Sequence, residues 1–424
     1  MQYNKVFIFV HDGVYCVHTG AGMNNYRMIR LARQFFPKAE IAVGPTLTNR
    51  SNPDFQPEWY TQNERLFAAD QLRILPVDNG SSGMERYGSP SNWEHDARAA
   101  EQICSEQISA DENVLVISVD TPFIGLVPLL ANRQNVVHLH IPQSTAKIHD
   151  PTDLDRIELE KCVLGNLPAN GFIGACSEFM AQHLAESYGA DTHKIVPFHN
   201  GCLPEDYLET SPSDLAKIAH DWGIRLDRRL IIAYGRAVPY KGFHTLVEAV
   251  AKLPKERFQL LINATTVDDG TKYLAHLKES SQSGNVDLIL GTAFDPGLPE
   301  KLQQLPNVMA VVVPSLHEPF GLIPGEVMIN KYSRAIVVAS DADGLQEQVK
   351  DSVNGFQFTA GDSESLARAL QRLASLGSDE ASALITRAHR SALSTHNLSV
   401  NMHIAFDRLE EINQERYGQA VLRT

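Results

Sequence analysis

Short runs of aliphatic and β-branched residues recur along the chain, separated by longer stretches in which apolar positions return every three or four residues. In the first half the strand-like runs are KVFIFV (5–10), EIAVG (40–44), LRILPV (72–77), NVLVIS (113–118), NVVHLH (135–140), GFIGAC (171–176) and KIVPF (194–198). Helical periodicity separates several of them, around 23–36, 93–109, 152–166 and 177–188. A second series follows: RLIIAYG (229–235), FQLLIN (258–263), VDLILG (286–291), VMAVVVP (308–314), RAIVVAS (334–340) and GFQF (355–358). Helices are expected near 243–253, 269–280, 323–331 and 363–375, and the tail from about 379 reads as helical.

Strands alternating with crossover helices predict two α/β halves in tandem, each built on a parallel sheet. The polar, proline-containing stretch NGCLPEDYLETSPS (200–213) is the natural connector. A length of 424 residues agrees, because it exceeds what one hydrophobic core usually supports. In open parallel sheets, loops at the carboxyl ends of strands host ligands, and two such halves facing each other would form a cleft.

Composition narrows the partners. With 37 basic and 51 acidic residues the formal charge is -14, which argues against general affinity for nucleic acid or anionic lipid. The five cysteines are far apart and form no CxxC or zinc-spaced cluster, so they are expected to be reduced and mostly buried. No 18-residue apolar run occurs, and MQYNKVFIFVHDG turns polar too early for a secretory signal, so a cytoplasmic protein without an integral membrane segment is expected. No feature of the pattern sets an oligomeric state.

Four loops carry candidate chemistry. After the first strand, Gly20-Ala21-Gly22 opens a long amphipathic helix, where small residues and helix amides suit a phosphate or hydroxyl. A simple turn is an equal reading, since Asn25 breaks the full GxGxxG pattern. His138 and His140 share one face of a strand, and His140 is expected at its end, beside a polar loop. His11 and His18 flank the first loop as weaker candidates.

In YGRAVPYKGFH, Arg236 and Lys241 lie on one short loop ahead of a helix, which suits a pyrophosphate, although a salt bridge would use the same residues. In PSLHEPFGLIPGE, Glu318 precedes a Phe-Gly turn and Glu326 falls in the first turn of the helix after it. The bland reading is an acid complementing a helix dipole. The sharper one places the two carboxylates on separate hydroxyl-bearing parts of one ligand, with amides around Gly321 and Leu322 between them for phosphates. A nucleotide sugar presents that order of groups.

Taken together and in order, GRAVPYKG, EPFGLIPGE, ACSEFMAQHL, HNGCLPEDY and ASDADGLQEQVKDSVNGFQF resemble family 4 of the retaining glycosyltransferases, which have the GT-B fold. The resemblance covers most of the second half and scattered parts of the first. It implies a Rossmann-like acceptor-binding domain (1–205), a Rossmann-like nucleotide-sugar domain (206–400) and a final helix (401–424) crossing back to the first domain. It also implies that Arg236 and Lys241 hold the donor diphosphate, that Gly235 belongs to the donor-binding loop, that Glu318 meets the donor sugar, and that Glu326 meets the ribose. Phe320, Gly321, Leu322 and Ile323 would line the sugar and phosphate site through the backbone, Gly20, Ala21 and Gly22 would approach the diphosphate or acceptor, and His140 would stand beside the reacting centre. Catalytic roles fall to Glu318, His140, Arg236 and Lys241.

The family typically needs neither cofactor nor metal, since cationic side chains and helix amides offset the diphosphate charge. Asp341-Ala342-Asp343 matches a DxD pattern by chance, in the loop before Gly344. Departures from the family are Gly-Ala-Gly in the first turn, Val327 after the second glutamate and Asp343 where glycine is common. The implied partners are a UDP-sugar donor and a hydroxyl of a small soluble or oligosaccharide acceptor. The competing readings are a nucleotide-sugar epimerase of GT-B-like fold and a catalytically silent sugar-nucleotide-binding protein. The polar segment 46–70 reads as a solvated loop whose Phe55, Trp59 and Tyr60 could stack on sugar rings.

Overall fold

The computed structural model describes residues 3–266, 270–292, 295 and 297–421. Two compact units emerge, Met1–Gly201 with Leu398–Thr424, and Cys202–Asn397.

The first unit holds seven strands: β1 (Lys5–Val10), β2 (Glu40–Pro45), β3 (Leu72–Ile74), β4 (Val114–Val119), β5 (Val136–Ile141), β6 (Gly171–Ala175) and β7 (Ile195–Pro197). They form one sheet in the order β3-β2-β1-β4-β5-β6-β7, and every pairing is parallel. The second unit holds β8 (Arg229–Arg236), β9 (Phe258–Thr265), β10 (Leu288–Gly291), β11 (Val308–Val313), β12 (Ile336–Ser340) and β13 (Phe356–Phe358), ordered β10-β9-β8-β11-β12-β13, again parallel. Both sheets are doubly wound. Strand order reverses between β1 and β4 in one and between β8 and β11 in the other, which opens a crevice at the carboxyl ends of those strands.

The unbroken apolar runs have a direct cause. Parallel sheets are covered on both faces, so inward and outward positions are both apolar. In the second sheet Ile231, Leu260, Ala310 and Val338 pack into the core on one face, and Leu230, Leu261, Val311 and Val337 into the core on the other. Along β8 burial lapses at Arg229 and from Tyr234 to Arg236, where the strand reaches its carboxyl end, and β10 at the sheet edge is half-buried throughout.

All thirteen expected strands are present, with small shifts. LRILPV shortens to three residues, and Val77 retains only an isolated bridge to Thr46. Segment 46–70 is not a plain loop, since Pro57–Ala69 is helical. Only Asn63 and Phe67 are buried along that helix, so its apolar stripe is too thin to show a period. The tail forms two helices, Ser378–Thr395 and Leu398–Val421. The second belongs to the first unit, where Phe406 packs against Phe35, Phe36 and Phe198 and Asn401 Nδ2 donates to Asn200 O at 3.0 Å. Residues 422–424 of the expected last helix, and residue 269 of another, lie outside the described residues.

Candidate nucleotide-sugar site

The crevice of the second unit is bounded by the loop after β8 and the loop after β11. These loops are locked backbone to backbone. Leu316 N donates to Tyr240 O at 2.7 Å, and a Cβ on Gly242 would fall 1.9 Å from Pro314 O. Gly242 also sits at φ 67°, so the Lys-Gly pair is needed both for the turn and for the close approach. Gly235, at φ 146°, lets β8 turn into the same loop.

This interlock brings the cations to the acids. Lys241 Nζ donates to Glu318 Oε2 in a largely buried ion pair, and Ser315 Oγ donates to the same oxygen at 3.2 Å. Arg236 donates to the Tyr240 hydroxyl and lies 5.7 Å from that ring's centre, while Lys241 lies 5.6 Å from it. Tyr240 is thus a shared platform for both cations. Nothing in the spacing of VPYKG marks it beyond its place beside Lys241.

The Glu318 loop is held from behind by Asp343. Glu318 N donates to Asp343 Oδ2 at 2.8 Å, and His317 Nδ1 is 3.6 Å from the same oxygen. Asp343 has φ 45°, a left-handed conformation that glycine adopts without cost and aspartate tolerates. Asp341 Oδ1 in turn accepts from Ala360 N at 2.8 Å. Both carboxylates of the DxD match therefore serve backbone amides. Among the described residues no group of three or more His, Cys, Asp or Glu side chains is placed to hold a metal ion.

Gly321 has φ 82°, and a Cβ there would meet Glu318 Cγ at 2.7 Å. It ends the loop and begins the helix Leu322–Ile329, whose first turn has no side-chain cap. The opening amides of that helix have no intrahelical partner and carry the positive end of its dipole. Phe320 is buried with its ring edge-on to His396 and its carbonyl accepting from Gln348 Nε2, Leu322 is buried, and Ile323 is half-buried. Glu326, also half-buried, lies near Tyr234 at the end of β8: burial first, and then the Glu326 carboxylate, push the tyrosine hydroxyl well above its ordinary range. Arg236, Lys241 and Glu318 are thus linked through Tyr240 and the ion pair, while Glu326, past the first turn of its helix, is tied to Tyr234 instead.

The first unit departs from expectation at two places. Gly22 is a glycine for an internal reason, since a Cβ there would lie 2.4 Å from the Asp12 carboxylate. Thr19 Oγ1 donates to Asp12 Oδ2 at 2.8 Å and accepts from Gly22 N at 2.9 Å. The buried helix corner is already occupied by a protein anion, so the expected donor contact at Gly22 has no support here. Gly20 is exposed and Ala21 half-buried at the helix start.

His140 is one residue short of the strand end and fully buried, not beside an open loop. Its Nδ1 lies 2.9 Å from Ser118 Oγ, which lies 2.8 Å from His138 Nε2. Burial pushes both imidazoles down to about 3, so both are neutral. The pair thus sits within the sheet, and the expected contact of His140 with a reacting centre has no support in this geometry. Phe55 and Tyr60 pack on one another and on Tyr15, and Trp59 packs on Tyr26 at 4.6 Å, so these rings already stack within the protein.

Residues 216–391, within the second unit, match the family model for glycosyl transferases group 1. The structure of Anabaena HepE in complex with UDP and glucose superposes with a TM-score of 0.70 at 18% identity, covering 95% of this chain and 99% of that one. The fold is GT-B. Among curated proteins, an uncharacterized glycosyltransferase of Methanocaldococcus jannaschii is 26% identical over 47% of this chain and 50% of its own length. The lipopolysaccharide core biosynthesis glycosyltransferase LpsE of Rhizobium meliloti is 32% identical over 35% of this chain and 40% of its own. The match thus spans half or less of the length of these relatives. No helix among the described residues is long and apolar enough to cross a membrane.

Proposed function

We propose that the protein is a retaining glycosyltransferase of family 4 type, moving a sugar from a nucleotide sugar, with UDP-sugar the favoured donor, to an acceptor hydroxyl. The observation that carries this reading is the Lys241–Glu318 pair formed between the loops after β8 and β11, with Arg236 on the same Tyr240 as Lys241. The group 1 glycosyltransferase match over the same residues and the UDP in HepE support it.

In this reading Arg236 and Lys241 take the diphosphate, together with the opening amides of Leu322–Ile329. Lys241 would exchange its Glu318 partner for the more highly charged diphosphate. Glu318, released, accepts from donor-sugar hydroxyls, and Glu326 accepts from the ribose. As the glycosidic bond to phosphate lengthens, negative charge grows on the leaving oxygen, where the two cations and the helix start stabilise it without a metal or other cofactor. The acceptor hydroxyl attacks from the face the diphosphate leaves, which retains the anomeric configuration, and its proton passes to the departing phosphate. Glu318 acts by positioning and charge and is not a nucleophile.

Thermal-shift comparison of UDP, GDP and ADP, followed by mass spectrometry with sugar nucleotides of the preferred base, tests the donor. UDP should give the largest shift. NMR of the product from an α-linked donor should show an α-linkage, and a β-linked product would overturn the retaining mechanism.

A further inference from the structure

In the second unit's crevice the lysine and the first glutamate are already each other's partner. The side chains of Lys241 and Glu318 are each 15% exposed, and Ser315 Oγ donates to the carboxylate oxygen that Lys241 binds. An anion can take Lys241 only by breaking this pair. What that costs depends on whether the carboxylate can retreat into water once the lysine turns away.

The surroundings of Glu318 hold it in place. Its backbone is fixed on both sides of the side chain, since Glu318 N donates to Asp343 Oδ2 at 2.8 Å and Glu318 O accepts from Gly344 N at 3.1 Å. The side chain lies so close over Gly321 that a Cβ there would meet Cγ at 2.7 Å and the carboxyl carbon at 3.4 Å. The Lys241 loop is equally fixed, by Leu316 N on Tyr240 O and by Gly242 against Pro314. The change of partner therefore falls to the lysine's flexible stem, and the carboxylate stays, mostly out of water and without that cation. A free nucleoside diphosphate makes this worse. Its terminal phosphate carries nearly a second full charge at neutral pH, at the place where a donor sugar would stand. A nucleotide sugar has no such charge there, and its hydroxyl donors replace the lysine as partners of Glu318. The two ligands share the diphosphate that draws Lys241 and differ in what then meets Glu318.

We propose that the Lys241–Glu318 pair makes the crevice selective for a nucleotide sugar over the free nucleoside diphosphate, and that Glu318 drives product release by recapturing Lys241 once the sugar has left. This deepens the transfer reading above and rests on it. Glu318 is in this account a specificity determinant, and Ser315, which binds it from behind, a positioning residue.

Isothermal titration of the full chain with UDP, UDP-glucose, UDP-galactose and UDP-N-acetylglucosamine tests it. The best of the three nucleotide sugars should bind about tenfold more tightly than UDP, the cost of leaving one buried carboxylate without its partner. Glu318→Gln should tighten UDP and bring it close to the nucleotide sugar. Ser315→Ala keeps the test open if that variant folds poorly, and it acts in the opposite direction. With a donor to Glu318 removed, UDP should weaken more than the nucleotide sugar does, so the ratio should widen. A side chain that only supported the fold would move both ligands alike. Wild-type protein that binds UDP as tightly as every nucleotide sugar would overturn the inference, as would either variant keeping the wild-type ratio. A chain that binds the nucleotide sugars but prefers UDP refutes the selectivity alone, whereas one that binds none of the four ligands refutes the transfer reading as well.

Discussion

At the scale of single residues, the Lys241–Glu318 pair is the most informative contact, because it gives opposite expectations for its two members. Glu318→Gln releases Lys241 and removes an acceptor for sugar hydroxyls. UDP affinity should hold or rise in calorimetry while sugar transfer falls by about a hundredfold, the usual cost of losing a group matched to the transition state. Unchanged turnover would remove Glu318 from the site. Asp343 allows a second separation, between hydrogen bonding and strain. Asp343→Gly loses the bond to Glu318 N but fits φ 45° freely, so its stability should stay within about 1 kcal/mol of wild type. Asp343→Ala loses the bond and keeps the strain, and should cost about 1–3 kcal/mol in urea unfolding. Equal losses for the two would show that backbone strain at 343 is not a factor.

At the scale of elements, the helix Pro90–Gln107 is tied to the end of β2 by Asp96, whose Oδ1 accepts from Thr46 Oγ1 at 3.0 Å while Oδ2 has no partner. Burial pushes this carboxyl up to about 8. Below about pH 4 the group is protonated in both folded and unfolded chains and costs nothing. Between there and pH 8 the unfolded chain loses its proton while the folded chain keeps it, so stability declines as pH rises through this window. Asp96→Asn should therefore match wild type near pH 4 and exceed it on the order of a few kcal/mol at pH 8. An equal difference across urea titrations at pH 4, 6 and 8 would contradict the buried, protonated carboxyl. The strands were legible in the chain because both faces of each sheet are buried, which makes runs such as VMAVVV unambiguous. The helix Pro57–Ala69 was not, since two buried residues leave no period to see. The charged members of the candidate site were legible from their motif. Tyr240 and Asp343 were not, because their roles arise from loops that meet only after folding, and no spacing along the chain records Leu316 against Tyr240 or Glu318 against Asp343.

For the whole molecule, a formal charge of -14 coexists with a small cationic corner on one parallel sheet. General electrostatics would repel a nucleoside diphosphate. In the proposed function, binding would therefore come from local geometry: a lysine and an arginine on one tyrosine, the start of the helix Leu322–Ile329, and two loops fixed by Gly242 against Pro314. Moderate salt should weaken such binding only modestly, since short-range, partly buried contacts are screened less than surface charge. The most direct measurement is isothermal titration of UDP into the full chain and into Lys241→Ala. The wild-type protein should bind UDP and the variant should bind it at least about tenfold more weakly, the loss of one charge-assisted contact. Equal affinity in the two proteins, or no binding of UDP, GDP or ADP to the wild type, would contradict the site.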